Sequence, residues 1–385
     1  MPRGFCYGDI PLRIVLIFTA WLLSVGAMAA PGDAATLDRT TWPEQLSNPT
    51  LFDVASRAEI LMFARGLLGT ESIDEAALAQ RLGLRTVNID AVNQLRQRLW
   101  QRLLANYNHA QQSCDQDASF CFLVEDLPTL REQAAKFVVS DDSYYTKWAE
   151  PSRIFHLQYL DELMRKAALS PQTSNEFDRF GDYERNGDDM HDRLFLLTFD
   201  SAANVQPDNT DWLTEYLRKS NLSGTFFVLG KDIQARLTGR SVSSLQASFS
   251  RQCVGVQGWE FRSHSHWQDW QDSVRRSADL VKNKLPENYV PLFRPPDGQR
   301  RSDAQGFFNS QGLQVALWDI DAQDGAGKLK GPASAQRVLT LMLLWRHGVI
   351  NFNMKQDAVK TSLPWLITQT AQSGIGWEDC QDAFR

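Results

Sequence analysis

Residues 194–201 read LFLLTFDS, an unbroken apolar run that ends in an acid and a hydroxyl. Such a run is typical of a strand buried on both faces, as in a parallel sheet covered by helices. Further short apolar runs follow it, namely GTFFVL (224–229), GWEFRS (258–263), PLF (291–293), LQVALWD (313–319) and GVINFN (348–353). Between them lie helical patterns: DWLTEYLRKS (211–220), WQDSVRRSADLVKNKL (270–285), SDAQGFFNSQ (302–311) and SAQRVLTLMLLWR (334–346). This alternation predicts an α/β fold with a parallel sheet, either closed or doubly wound.

The chain before this region has a different periodicity. From about residue 50 to 168 the apolar residues recur at helical spacing. In the segment 88–107 they form a stripe along one face of a helix: Ile89, Val92, Leu95, Leu99, Leu103 and Tyr107. The sequence therefore predicts a helical N-terminal region over 30–170, a polar linker over 171–192 and an α/β domain over 193–385.

The first 29 residues have the parts of a secretory signal. Arg3 and Arg13 precede an apolar run at 14–26, and the small residues Ala27 and Ala29 follow it. This order predicts a cleaved signal peptide over 1–29 and a periplasmic or secreted protein. An uncleaved membrane anchor is the alternative, because the run is close to the shortest length that spans a bilayer. With the signal removed, we expect no membrane span.

The cysteines fit an oxidising compartment. Cys6 would leave with the signal peptide, and four cysteines would remain, which favours two disulfides over reactive thiols. Three pairings are open. The short polar loop between Cys114 and Cys121 favours a bond between these two, which leaves Cys253 for Cys380.

The charge of the chain argues against one class of partner. The formal net charge is −6, and no cluster of lysine and arginine forms a basic face. A nucleic-acid-binding protein needs such a face to neutralise phosphates, so nucleic acid is excluded as an expected partner.

Polar residues follow the predicted strands. They are Asp200-Ser201, the segment 264–268 (HSHWQ), the segment 294–298 (RPPDG), the segment 318–321 (WDID) with Asp324 just beyond, and the segment 353–355 (NMK). The carboxyl ends of parallel strands meet at one edge of a sheet, where ligands bind in such folds. We therefore expect these residues to line a polar cleft.

The order and spacing of these segments resemble those of the polysaccharide deacetylase (NodB-homology, carbohydrate esterase) family. LLTFDS resembles the family's T-F-D-D opening, EFRSHSHWQ its E-x-x-x-H-[S/T]-x-x-H element and FRPPDG its R-x-P-x-G element. WDIDAQD resembles the W-D-x-D-x-x-D element, and GVINFNMKQDAVKTSLPWLI the closing strand and helix. The resemblance covers about half of the chain and implies a distorted (β/α) barrel after an all-α N-terminal region.

The resemblance also implies a function and a set of site residues. Family members remove acetyl groups from glycans with a divalent metal, zinc or a similar ion, that activates water. By position, Asp200 matches the base, His264 a metal ligand and Arg294 the arginine that orients the base. Asp321 and Asp324 match acids of the fourth element. The substrate would be a polysaccharide or oligosaccharide, contacted by Trp267, Pro295 and Pro296, and the sequence leaves a protein partner open.

Three positions depart from the family pattern. Ser201 replaces the metal-binding aspartate, Gln268 the second metal histidine and Met354 the histidine that acts as general acid. One imidazole with a hydroxyl and an amide is a poor ligand set for zinc. We therefore expect the family mechanism to be impaired. A divalent metal is expected only if the protein is active.

Three interpretations stay open at this stage. His266 lies two residues from His264 and, on an extended segment, would point the same way, which would give a shifted metal site. Ser201 with a histidine of 264–266 and an aspartate has the residue types of an acyl-transfer triad. The third alternative is a catalytically decayed glycan-binding or accessory protein on the same fold.

Overall fold

The computed structural model describes residues 34–203, 207–325 and 328–383. The predicted signal peptide lies outside this range. The chain from Gly32 to Arg385 forms one compact unit. Within the described ranges, no helix combines the length and the apolar character that a membrane span requires.

Five helices make up the first half of the described chain: α1 (Pro49–Thr70), α2 (Glu75–Leu82), α3 (Ile89–Ala110), α4 (Leu127–Lys136) and α5 (Thr146–Ala168). Helix α1 begins after Asn48, whose side chain accepts a hydrogen bond from the Leu51 amide. Five positions of the predicted α3 stripe are buried, namely Val92, Leu95, Leu99, Leu103 and Tyr107. The prediction of a helical N-terminal region is thereby confirmed.

The second half is built on a parallel sheet. Its strands are β1 (Glu184–Arg185), β2 (Leu194–Asp200), β3 (Thr225–Val228), β4 (Cys253–Val256), β5 (Tyr289–Phe293), β6 (Gln314–Ala316), β7 (Ile320–Asp321), β8 (Gly348–Asn353) and β9 (Gly376–Trp377). The order is β1-β6-β5-β4-β3-β2-β8-β7, with β9 paired to β2, and each of these pairings is parallel. The predicted α/β class is confirmed, as a barrel-like sheet whose strand path in the described residues leaves β1 and β7 at opposite ends.

Seven helices connect the strands: α6 (Thr210–Lys219), α7 (Gly230–Gly239), α8 (Val242–Ser248), α9 (Trp270–Lys284), α10 (Gln305–Gln311), α11 (Gly331–Trp345) and α12 (Ala358–Thr370). The four helices predicted from periodicity correspond to α6, α9, α10 and α11. Helices α7 and α8 were not predicted, because their short segments carry few apolar residues at helical spacing.

Two predicted strands were wrong in their bounds. The prediction of a strand at 258–263 fails because the sheet uses Cys253–Val256, and the chain turns out of the sheet at Gly258, whose φ is +90°. An ordinary residue rarely adopts this conformation, which ends the strand. The run 313–319 contains only β6, and β7 begins just after it at Ile320 and lies at the other end of the strand order.

Residues 171–192, predicted to form a linker, make specific contacts. Strand β1 pairs with β6 inside this segment. Glu184 is fully buried and accepts two hydrogen bonds from Arg300, from Nε and Nη2, each at 2.6 Å. The division of the chain into helical region, linker and deacetylase-like domain stays a prediction.

Helix α11 joins the helical region to the sheet. Nearly all of its side chains are buried, as expected of a helix covered on more than one side. The Ser56 hydroxyl donates to the Leu343 carbonyl oxygen (2.7 Å), and Asn106 Nδ2 donates to the Leu344 carbonyl oxygen (3.0 Å). These contacts place α1 and α3 directly against α11.

Two disulfides are present. One joins Cys114 to Cys121, and the other joins Cys253 to Cys380 across 127 residues. This is the pairing that the sequence favoured. The second bond attaches the C-terminal segment to the start of β4.

Candidate functional site

A cleft of about 500 Å³ lies at the carboxyl ends of the strands. Its lining includes Asp200, Ser201, Gln257, Trp318, Asp321 and Asp324. The β2–β8 register places Asp200 directly beside Asn353, so the ends of both strands contribute to one rim. The cleft is therefore at the edge of the sheet where the sequence predicted it.

Asp200 and Arg294 form the most extensively bonded pair at this cleft. Arg294 is fully buried and its Nη1 lies 3.1 Å from Asp200 Oδ1 and 2.6 Å from Thr198 Oγ1. Its Nε and Nη2 donate to the carbonyl oxygens of Ala316 and Leu317, both at 3.1 Å. The guanidinium is thus held by β2 and by the end of β6, and its Nη1 faces the Asp200 carboxylate.

Burial changes the titration of Asp200. Removal from water raises the pKa of its carboxyl to about 6, against the opposing effects of Arg294 and of the Asn351 amide, which donates at 3.1 Å. Above pH 6 the group is ionised and can accept a proton or a hydrogen bond from a ligand. This arrangement is chemically compatible with the predicted role of a base.

Two more acids line the cleft. Asp324 is buried, and its oxygens accept hydrogen bonds from the Asn353 amide at 3.1 and 3.2 Å. Burial and the nearby Asp321 and Asp200 carboxylates raise its pKa to about 8, so it is protonated at neutral pH. Asp321 accepts from the backbone and side-chain amides of Gln323, at 2.8 and 2.7 Å.

His264 has a different environment. It is 1% exposed and packs edge-on against Phe293 and Trp267, with ring centroids 5.2 and 5.4 Å away. Its Nδ1 lies 2.7 Å from the Arg262 carbonyl oxygen and its Nε2 lies 3.1 Å from Ser273 Oγ. Both ring nitrogens are therefore occupied by hydrogen bonds, one within the loop and one to helix α9, and burial lowers the pKa of the imidazole to about 4.

The neighbouring positions do not complete a metal site around His264. His266 and Gln268 are exposed, whereas His264 is buried. In residues 34–203, 207–325 and 328–383, no three histidine, cysteine or acidic side chains are grouped as metal ligands. The donor set at the family's metal positions therefore does not fit a zinc ion in this arrangement.

Ser201 and Met354 are both buried and bonded to residues outside the predicted set. The Ser201 hydroxyl donates to Asp232 Oδ2 at 3.1 Å, and Asp232 in turn lies 3.4 Å from Lys355 Nζ. Met354 Sδ lies 3.4 Å from Thr210 Oγ1. Because Ser201 contacts an acid and His264 contacts Ser273, these residues do not form the hydrogen-bonded chain of an acyl-transfer triad.

The predicted substrate residues lie around the loop rather than in the lining of the cleft. Trp267 stacks against the Arg262 guanidinium at 4.7 Å, and Pro295 and Pro296 are buried behind Arg294. Their contact with substrate stays a prediction. The tryptophan that lines the cleft is Trp318.

The sequence did not predict two cleft residues from outside the motifs. Lys166, in the last turn of α5, pairs with Glu176, and both line the cleft. A basic residue in the last turn of a helix is common, and only the tertiary structure reveals that this lysine reaches the sheet.

Comparison with known proteins agrees with the motifs. The sequence model of the Polysaccharide deacetylase family matches residues 187–316. A bifunctional xylanase/xylan deacetylase of Cellvibrio japonicus is 30% identical over 139 residues, which are 34% of this chain and 19% of that protein. The chain thus spans about a fifth of the length of this curated relative.

Similar solved structures include a CE4 family pseudoenzyme from Bacillus anthracis and a peptidoglycan deacetylase from Bacillus subtilis. The first is 16% identical, with a TM-score of 0.43 and coverage of 50% of this chain and 65% of the other. The second is 19% identical, with a TM-score of 0.39 and coverage of 49% and 87%. The resemblance drawn from the motifs is confirmed by the match of the Polysaccharide deacetylase family model to residues 187–316.

Proposed function

We propose that this protein binds a polysaccharide of the cell envelope or extracellular matrix in the cleft at the strand ends, without metal-dependent hydrolysis. The proposal rests on one observation, the hydrogen bonding of the His264 imidazole. Its ring nitrogens are bonded to the Arg262 carbonyl oxygen in the loop after β4 and to Ser273 on α9, whereas Asp200 and Arg294 remain at the cleft. The chain would thus retain the glycan cleft of its family and not the means of activating water.

The cleft itself supports a glycan as ligand. It is open to solvent, has carboxyl and amide groups along its rim and includes the indole of Trp318. Sugar-binding sites combine hydrogen-bonding groups for the hydroxyls with an aromatic surface, and this lining has both. The xylan deacetylase relative and the peptidoglycan deacetylase are named for polysaccharide substrates, which supports the same class of ligand here.

The proposed location is the periplasm or the extracellular space. Two disulfides support an oxidising compartment, since such bonds are rare in the cytosol. The apolar run at 14–26 with its small-residue end supports export through a cleaved signal. N-terminal sequencing of the exported protein tests this, with residue 30 as the expected first residue.

The binding function is tested with purified full-length mature protein. Co-sedimentation with insoluble peptidoglycan, chitin and acetylated xylan, in the presence of EDTA, should show retention of the protein on at least one polymer. Asp200→Asn should weaken retention, because it removes the negative charge that Arg294 holds at the cleft and exchanges one acceptor oxygen for an NH2 donor. Asp272→Asn, at an exposed site on α9, is the matched control and should bind like the wild type. No retention on any polymer would contradict the proposal.

A second function, hydrolysis of acetyl groups, is favoured by one specific observation. Asp200 sits beside Arg294 with its pKa raised to about 6, which suits a general base near neutral pH. Release of acetate from the same polymers in the presence of added zinc, lost in Asp200→Asn, would establish this function in place of binding alone.

A further inference from the structure

Three carboxyl groups of the cleft lining form no ion pair in the described part of the chain, namely those of Asp297, Asp321 and Asp324. Asp200 pairs with Arg294, and Glu176 pairs with Lys166. Asp321 and Asp324 form no ion pair with any lysine or arginine in the described part of the chain, and their recorded bonds are to amide groups. The Asp321 carboxylate raises the pKa of Lys166, so this lysine is nearby, but its ion pair is with Glu176. The cleft therefore holds two neighbouring acids that no cation of the described residues contacts directly.

The other lysine at the cleft does not alter this. Lys328 Nζ donates to Gln323 Oε1 at 3.2 Å. Its positive charge acts to lower the pKa of Asp297, another carboxyl group that lines the cleft. Asp321 and Asp324, in contrast, are close enough to each other that Asp321 raises the pKa of Asp324. A positive group placed between them would be attracted by the Asp321 carboxylate and would favour ionisation of Asp324.

Two buried polar atoms point to a ligand in the same cleft. Trp318 is 5% exposed and Gln257 is 1% exposed, and both line the cleft. The Trp318 indole Nε1 and the Gln257 Oε1 have no hydrogen-bond partner. Buried polar atoms are nearly always bonded, because an unsatisfied one costs about 1 to 3 kcal/mol. One atom only donates and the other only accepts, so a hydroxyl-bearing ligand could satisfy both.

We propose that the cleft binds amine-bearing, de-N-acetylated hexosamine units of a glycan, with the ammonium group at Asp321 and Asp324 and ring hydroxyls at Trp318 and Gln257. The inference rests on the proposed glycan-binding function and specifies its ligand. An ammonium supplies the missing positive charge together with three hydrogen-bond donors. A neutral acetamido group supplies neither the charge nor more than one donor.

Calorimetry with two matched ligands tests the inference. The full mature protein is titrated with a glucosamine tetramer and with its fully N-acetylated counterpart, at low ionic strength and in EDTA. The amine-bearing tetramer should bind at least about tenfold more tightly, and this preference should shrink as salt is raised, because salt screens charge attraction. Equal or tighter binding of the N-acetylated tetramer would overturn the inference and leave the proposed function intact. Failure of both tetramers to bind would count against both proposals.

Variants locate the preference in the cleft. Asp321→Asn should reduce the preference for the amine-bearing tetramer to about threefold or less, because it removes one of the two carboxylates. Trp318→Phe keeps an aromatic ring and removes the N–H donor, so it should weaken both ligands to a similar extent. Asp272→Asn is again the control, and an unchanged preference in Asp321→Asn would overturn the assignment.

Proton release on binding can be measured with the wild-type protein, so this test does not require a variant to fold. Asp324 is neutral at pH 7 because of burial and because the Asp321 and Asp200 carboxylates face it. An ammonium beside it stabilises the ionised form, so binding should release close to one proton. Titration in two buffers of different ionisation enthalpy measures this, and binding of the amine-bearing tetramer without proton release would contradict the placement at Asp324.

Discussion

The end of β2 and the loop after β4 both carry motif residues to the same edge of the sheet, yet they use them differently. At β2, Asp200 faces the cleft and is held there by Arg294 and Asn351. After β4, His264 turns inward and bonds to Arg262 and Ser273. A residue at the end of a regular strand has its direction set by the sheet, whereas a residue in a loop takes the direction that the loop allows.

Gly258 is the physical reason for this difference. Its φ of +90° turns the chain out of β4, and a Cβ at this position would lie 2.5 Å from His264 Nε2. The absence of a side chain thus allows the imidazole to pack against the backbone. The position of a motif in the sequence is therefore better evidence for lineage than for the direction of each side chain.

The largest expected effect is a loss of stability when Arg294, the partner of Asp200 at the end of β2, is removed. Arg294→Ala should lower the free energy of unfolding by about 3 to 5 kcal/mol, because it leaves the Asp200 carboxylate and two carbonyl oxygens buried without their partner. Urea denaturation measures the change. Arg275→Ala, which removes an exposed pair on α9, should cost less than about 0.5 kcal/mol. Similar losses of unfolding free energy in the two variants would show that the buried bonds of Arg294 contribute no more to stability than an exposed ion pair.

The next effect concerns the histidine loop. His264→Ala should lower the free energy of unfolding by about 2 to 3 kcal/mol, because it removes a buried ring and two hydrogen bonds. His266→Ala, at an exposed position two residues away, should change it by less than about 0.5 kcal/mol. A stable His264→Ala variant that instead loses a bound zinc ion would reverse our interpretation of this loop.

His264 also predicts a dependence on pH. Its pKa in the folded protein, about 4, is below the ordinary value of 6.5, so its contribution to stability is complete above pH 6.5 and is lost as the pH falls towards 4. His264→Gln should therefore be less sensitive to acid over this window than the wild type. Part of the sensitivity should remain, because burial also lowers the pKa of His347 to about 4. Unfolding measured at several pH values checks both statements.

A smaller effect is expected at Asp324, on the β8 side of the cleft. Its folded pKa of about 8 is above the ordinary value of 3.8, so the carboxyl destabilises the fold increasingly as the pH rises from about 4 to 8. Asp324→Asn should gain stability relative to the wild type progressively over this range, by at most about 1.4 kcal/mol for each pH unit. Asp272→Asn should show no such trend. Parallel pH profiles for wild type and Asp324→Asn would mean that the carboxyl is not buried as described.

The smallest expected effect is the sharpest test of the comparison. The double variant Ser201→Asp, Gln268→His restores the residue types of the family's metal set. We expect it to bind no stoichiometric zinc, because both ring nitrogens of His264 remain bonded, to Arg262 and to Ser273, and position 268 is exposed. Metal analysis after dialysis measures this, and one zinc per chain would show that the loop rearranges easily around an ion.

Much of the fold could be predicted because its signals are local. The strand 194–200, the stripe on α3 and the helices α6, α9, α10 and α11 each follow from apolar periodicity alone. The missed strand Cys253–Val256 is only four residues long and contains a glycine, so it lacks a distinct pattern. The helices α7 and α8 depend on contacts with neighbouring elements that no local window contains.

The candidate site was predictable in part for a related reason. Asp200, Asp321 and Asp324 lie at or just after strands, and the rule that strand ends meet at one edge brings them together. Lys166 and Glu176 come from α5 and the segment after it, 28 and 18 residues before β2 begins at Leu194. No motif links them to the cleft, because their approach depends on how the helical region packs against the sheet.

The sequence by itself determined the family resemblance, the parallel sheet and the identity of the substituted residues, because these depend on residue type and order. Only the tertiary structure decided that Arg294 is bonded on every side and that His264 faces inward. It also decided that Asp321 and Asp324 form no ion pair within the described residues, and that the Trp318 Nε1 and Gln257 Oε1 atoms of the same cleft have no hydrogen-bond partner. The physical reason is that burial, charge balance and hydrogen-bond satisfaction are properties of neighbours in space, and these neighbours come from distant parts of the chain.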